Sequence, residues 1–102
     1  LHSLKTMHYF NKLSFFNNNP LDAAELIGYS RVLFITRKRD IQIQMSMDRL
    51  EEGRKSFLLI LDSIEEKNPK IQMIDLSFKD QVVIRNRFNP SSILISAKSQ
   101  TN

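Results

Sequence analysis

The sequence predicts an α+β domain: a small antiparallel β-sheet of four or five strands with one long amphipathic helix packed on a face. Three observations carry this. Residues 41–47 (IQIQMSM) alternate strictly between apolar and polar, residues 48–67 repeat their apolar positions at helical spacing, and residues 71–85 return to β-suited side chains. A chain of 102 residues has room for one such core and none to spare for a second.

Residues 1–16 (LHSLKTMHYFNKLSFF) contain good helix formers, although their apolar positions fall mostly three apart and spiral round a helix. This is read as a helical segment, 1–19 in all, that can close a preceding domain. Asn17, Asn18, Asn19 and Pro20 end it, because asparagine favours turns and the residue before proline is pushed out of the α region. Residues 21–27 then predict a short helix entered through Pro20 and stopped at Gly28.

From Val32 the period changes. Residues 32–36 (VLFIT) read as a buried strand, 37–40 (RKRD) as a short polar loop, and 41–47 as a second strand. The pair forms a hairpin with Ile41, Ile43, Met45 and Met47 on one face. The helix that follows starts at Asp48, with Glu51 as the return arm of a capping box. Leu50, Phe57, Leu61 and Ile64 form its buried stripe, widened by Leu58 and Ile60, while Glu51, Glu52, Lys55, Asp62, Glu65 and Glu66 mostly face water. Gly53 is the exception, costing about 1 kcal/mol relative to alanine. Lys67, Asn68 and Pro69 close the helix.

A second hairpin spans 71–87, turning at 79–81. Its apolar positions run 71, 73 and then 74, 76, 78, a slip of phase that predicts a β-bulge near Met73 and Ile74. The domain proper is thus 20–87. Residues 88–102 offer only Ile93, Leu94 and Ile95 before a polar tail, so they form one short strand or are disordered.

The composition excludes several classes of chemistry. There is no cysteine, which removes disulfides and thiolate metal sites and leaves the compartment open. Fifteen Lys and Arg against eleven Asp and Glu give +4, an excess that fits a solvated surface. The longest apolar run, 57–61, is far short of the roughly 20 residues that cross a bilayer. His2 and His8 lack neighbours that complete a metal site, two glycines cannot build a phosphate loop, and no nucleophile signature occurs. No enzyme activity, metal or cofactor is therefore expected. Arg37, Lys38 and Arg39 form the one basic cluster, which supports an alternative reading as a small basic nucleic-acid-binding domain using the 37–39 loop. No aromatic residue is interleaved there to stack on bases. Asp75, disfavoured in a strand, either fixes the bulge by a hydrogen bond or contacts a partner.

The order hairpin, helix, strand pair resembles the extracytoplasmic β domain of the bacterial cell-division FtsQ/DivIB family. Residues 31–36 (RVLFIT) and 40–45 (DIQIQM) are similar to the family's "RWTLYLxNGxxVxL" hairpin, 48–64 to its leucine-spaced helix, and 74–85 (IDLSFKDQVVIR) to its "hDLRhxxxhhV" signature. The likeness covers about residues 20–87, with Asp75 and Leu76 its most specific part. Two positions depart from the pattern: Ser77 stands where the family has arginine, and the hairpin turn that usually carries glycine is 37–40 here.

The resemblance implies a non-catalytic scaffold of the divisome, active in septum formation. Its parent would be a bitopic protein of the cell inner membrane, with this part on the periplasmic side. It also implies partners of the FtsB and FtsL type, bound by strand addition at the C-terminal edge. By position the partner-binding residues are Phe78, Asp80, Gln81, Val82, Val83, Ile84 and Arg85. A C-terminal strand leaves unpaired N–H and C=O groups unless residues 93–95 fold back over it; the open edge is the expectation.

Overall fold

Thr36, Phe34 and Val32 alternate with Ile35 and Leu33, and a run this rich in β-branched and aromatic side chains pairs on both of its sides. The computed structural model describes residues 2–67, 71–86 and 92–96. Helix α1 (His2–Phe10) and a 3₁₀ turn (Ser14–Phe16) precede strands β1 (Leu21–Ile27), β2 (Arg31–Thr36) and β3 (Gln42–Ser46). Helix α2 (Leu50–Lys67) follows, then β4 (Ile71–Asp75), β5 (Gln81–Asn86) and β6 (Ser92–Ser96). The strands form one sheet in chain order, β1 to β6.

The α+β class and the helix on a sheet are as expected, but the sheet has six strands and is mixed. Every neighbouring pair is antiparallel except β3 and β4, which run parallel with Ile43 opposite Ile74. The reason is the connection between them. A helix that leaves the end of β3 and returns over one face delivers β4 pointing the same way, whereas a hairpin would have reversed it.

The extra strand at the start corrects the reading of residues 21–27 as a helix. Leu21, Ala23, Ala24, Glu25 and Leu26 favour a helix locally, yet seven residues are too few for propensity to hold one alone. The ladder with β2 supplies the backbone partners instead, from Leu21 opposite Thr36 to Ile27 opposite Arg31. Gly28 sits in the connecting turn at φ 63°. The other two described hairpin turns use non-glycine residues in the same left-handed region, Arg39 at 62° and Asp80 at 61°.

The core lies between the sheet and the helices. Phe34, Ile43, Met45, Ile74 and Val82 are fully buried on the sheet side. On α2 the buried positions are Leu50, Gly53, Phe57, Ile60 and Ile64, at spacings of three and four. Ile60 therefore belongs to the inner stripe, Leu61 flanks it, and Leu58, expected to widen it, faces outward. Gly53 has a packing reason: a Cβ there would lie 2.6 Å from Met45 Cε and 3.5 Å from Leu76 Cβ. A side chain at this position would have to push the flexible end of Met45 aside.

Residues 2–16 join the same core. Phe10 and Phe16 are buried, and Phe57 of α2 meets Phe10 and Phe15 edge-on at 5.2 and 5.8 Å and stacks on Phe16 at 5.9 Å between ring centres. Asn11 ties this layer to the sheet, its amide donating to Leu21 O at 2.9 Å and its carbonyl accepting from Leu21 N at 2.8 Å. The helix of the first segment ends at Phe10, earlier than the expected 16, and the 3₁₀ turn carries the last two phenylalanines inward.

The bulge between Ile71 and Met73 falls at Gln72, one residue before its expected place. It switches the phase so that Ile71, Ile74 and Leu76 are all buried. The capping box is not made among the described hydrogen bonds. The chain enters α2 through a 3₁₀ turn (Met47–Arg49), the Asp48 carboxylate accepts the Ser46 hydroxyl, and Glu51 lies 3.6 Å from Lys55 Nζ. The Ser46 hydrogen bond, aided by the Arg49 charge, holds the Asp48 carboxyl below the usual carboxylate range despite some opposing desolvation.

Phe57 joins the two helices to the sheet, so Phe57→Ala is expected to cost about 3–5 kcal/mol. Thermal unfolding followed by circular dichroism should show Tm falling by roughly 10 °C or more.

Candidate interaction surface

Leaving β4, the chain must turn through Leu76–Asp80 to enter β5, and this turn sits beside the outer flank of α2. Leu76 is buried, and its N–H continues the parallel ladder by donating to Gln44 O at 2.8 Å. Asp75 fastens the turn: its Oδ1 accepts Ser77 N at 2.9 Å and Ser77 Oγ at 2.6 Å, and Gln44 Nε2 reaches its Oδ2 at 3.5 Å. From the helix side Arg49 donates to Ser77 O at 2.5 Å. A guanidinium therefore does reach this turn, although residue 77 is serine.

With its backbone held by these bonds, the turn presents Phe78 outward at 46% exposure. Opposite, α2 presents Leu58 and Leu59 at 41% and 58%. Together with Leu76 they line a groove of about 470 Å³, within the range of roughly 300–1,000 Å³ typical of ligand pockets. Arg49, Lys55 and Lys79 stand round it with Glu52 and Asp80. Exposed leucine and phenylalanine side chains gathered on one concavity are the kind of surface that partners cover.

Of the residues expected to bind a partner, Phe78 and Asp80 lie in this groove. Gln81, Val82, Val83, Ile84 and Arg85 form β5, and there the structure corrects the expectation of an open edge. β6 lies antiparallel to β5, with Gln81 opposite Ser96, Val83 opposite Leu94 and Arg85 opposite Ser92. β5 is thus paired on both sides, and Val82 and Ile84 point into the core. The short strand offered as the alternative for 93–95 is the one that forms. The sheet's outer strands are β1 and β6.

Sequence reasoning missed Leu58 and Leu59 as surface residues. Their signal is phase: counted from Phe57, steps of 100° and 200° carry them off a stripe defined by Leu50, Gly53, Phe57, Ile60 and Ile64.

The basic loop 37–39 stands at the β2–β3 tip and is exposed. Asn19 holds it, accepting Lys38 N at 2.9 Å and donating to Asp40 Oδ1 at 2.7 Å, while Thr36 Oγ1 donates to the same oxygen at 3.0 Å. Arg37 approaches Asp22 at 3.9 Å across exposed surface. Among the described residues no three His or carboxylate side chains gather as metal ligands, and no helix is long and apolar enough to cross a membrane.

No protein-family model matches the chain, and neither do curated proteins or solved structures.

Asp75 satisfies two donors of a residue that is only 7% exposed, Ser77. Asp75→Ala should cost about 1–3 kcal/mol by leaving them unpaired, and Asp75→Asn, which keeps an acceptor, should cost less. Urea unfolding of the two variants measures the difference.

Proposed function

We propose that this domain is a non-catalytic binding module and that its partner docks in the groove between α2 and the Leu76–Asp80 turn. The observation that carries the reading is the exposed set Leu58, Leu59 and Phe78, placed together on one concavity by elements far apart in sequence. Each of the three is about half exposed, so burying it against a partner contributes roughly 1 kcal/mol before the costs of association.

The partner class follows from the resemblance to the FtsQ/DivIB β domain, and the order of elements supports it. Strands β2 and β3, helix α2 and strands β4 and β5 succeed one another as the resemblance implies, with Asp75 and Leu76 at the bend that shapes the groove. On this reading the domain is a cell-division scaffold on the extracytoplasmic side of a single-pass inner-membrane protein, and it recognises segments of the FtsB and FtsL type. Apolar side chains of the partner enter the groove, and an extended stretch joins the C-terminal side of the sheet by main-chain hydrogen bonds.

Phe78→Asp tests the docking point without disturbing the core, since the side chain is half exposed. Titration calorimetry with a soluble FtsB/FtsL-type segment should give binding that this change weakens at least tenfold while Tm stays within a few degrees. Absence of binding to the unaltered domain, or equal binding by Phe78→Asp, would contradict the proposal.

A further inference from the structure

Strand addition at the C-terminal side of the sheet meets an obstacle made by the chain itself. The ladder along β5 is already occupied by β6 over its length, from Arg85 opposite Ser92 to Gln81 opposite Ser96. The end of β6 at Ser96 lies across from Gln81, the residue that follows the groove-lining Asp80. A partner segment anchored at Phe78 and running on as a strand beside β5 therefore needs the space that β6 takes.

We propose that β6 is a self-supplied strand that holds the partner's place and is exchanged for the partner's strand on binding. The idea rests on the groove reading above and adds its regulation. Several features make β6 the exchangeable element. It is the terminal strand of the sheet, five residues long, with β5 as its one ladder partner among the described residues. β4 and β5, by contrast, are each paired on two sides. Removing an outer strand breaks one ladder, and removing an inner one breaks two.

The exchange has a defined energetic form. Residues 87–91 separate β5 from β6, so the tethered strand competes at an effective concentration on the order of millimolar. The partner's apparent affinity is its intrinsic affinity multiplied by the fraction of molecules with β6 released. The groove contacts at Leu58, Leu59 and Phe78 give an incoming segment what β6 is not positioned to supply by its ladder alone. Groove docking and strand exchange then reinforce each other, because a segment already seated by its apolar side chains meets the ladder at high local concentration.

The test uses the full chain, which has no cysteine of its own. Val83→Cys with Leu94→Cys places thiols at directly opposed positions, so that oxidation locks β6 in place and reduction frees it. A second chain carries Leu94→Pro and Ile95→Pro. Because N–H groups alternate in direction along a strand, one of the two lost donors belongs to the β5 ladder and β6 is weakened. The probe is a fluorescent peptide of residues 90–98 (PSSILISAK), read by anisotropy. The proline chain should bind the peptide at least tenfold more tightly than the oxidised chain, with the reduced cysteine chain in between. Equal binding in all three, which is also the result if the peptide adds outside β6, overturns the exchange. So does absence of binding in all three. If the proline chain does not fold, the oxidised and reduced cysteine chains decide, and equal binding by those two overturns it. The outcome does not depend on an FtsB/FtsL-type segment, so failure here and failure of the partner assignment are separately visible.

Discussion

The parallel pairing of β3 with β4 is the constraint on which the rest of the molecule depends. Three residue pairs define it, Gln42 with Met73, Ile43 with Ile74 and Gln44 with Asp75. Parallel neighbours cannot be joined by a tight turn, so the chain between them must leave the sheet, cross a face and return. Helix α2 is that crossing. Its inward stripe has to meet the sheet, and Gly53 permits the close approach by leaving room for Met45 and Leu76. The 3₁₀ turn at its entry brings Arg49 to the Ser77 carbonyl, and the helix brings Phe57 among Phe10, Phe15 and Phe16. One connection thus sets both the core and the shape of the β4–β5 turn.

The groove is a by-product of the same geometry. Once Phe57, Ile60 and Ile64 face inward, Leu58 and Leu59 must face out, because each residue advances 100° round the helix. Once Leu76 is buried beside Gly53 and Ser77 is held by Asp75 and Arg49, Phe78 is left to project beside those leucines. None of the three exposed side chains is needed for the core. Their exposure to water is the basis of the function proposed for this face.

Much of this was legible in the sequence, and the failures have identifiable causes. The β2–β3 hairpin and the long helix follow from periodicities of two and 3.6, and the bulge at Gln72 announced itself as a slip in apolar phase. Residues 21–27 misled because alanine, glutamate and leucine favour a helix locally, while the ladder that decides their state lies on β2. The parallel pairing was invisible because alternation along a strand reports a buried face and says nothing of the neighbour's direction. The count rises to six because residues 21–27 add β1 and residues 92–96 add the optional last strand. Phe78 and Asp80, named by position from the resemblance, line the groove; Leu58 was read as widening the buried stripe because the helical phase was centred on Leu61 instead of Ile60, and Leu59 was given no place. The place of residues 93–95 could not be decided by pattern, since three apolar residues suit a strand at either an open or a closed edge.

The claim that a parallel β3–β4 pair organises core and groove can be examined directly by nuclear Overhauser spectroscopy on the uniformly labelled domain. The account predicts cross-strand contacts between the backbones of Ile43 and Ile74 and between Gln44 and Asp75, in the staggered pattern of a parallel ladder, together with side-chain contacts from Met45 to Gly53. An antiparallel pattern between these strands, or contacts joining β4 to some other strand on that side, would contradict it and remove the basis for placing Leu58, Leu59 and Phe78 on one surface.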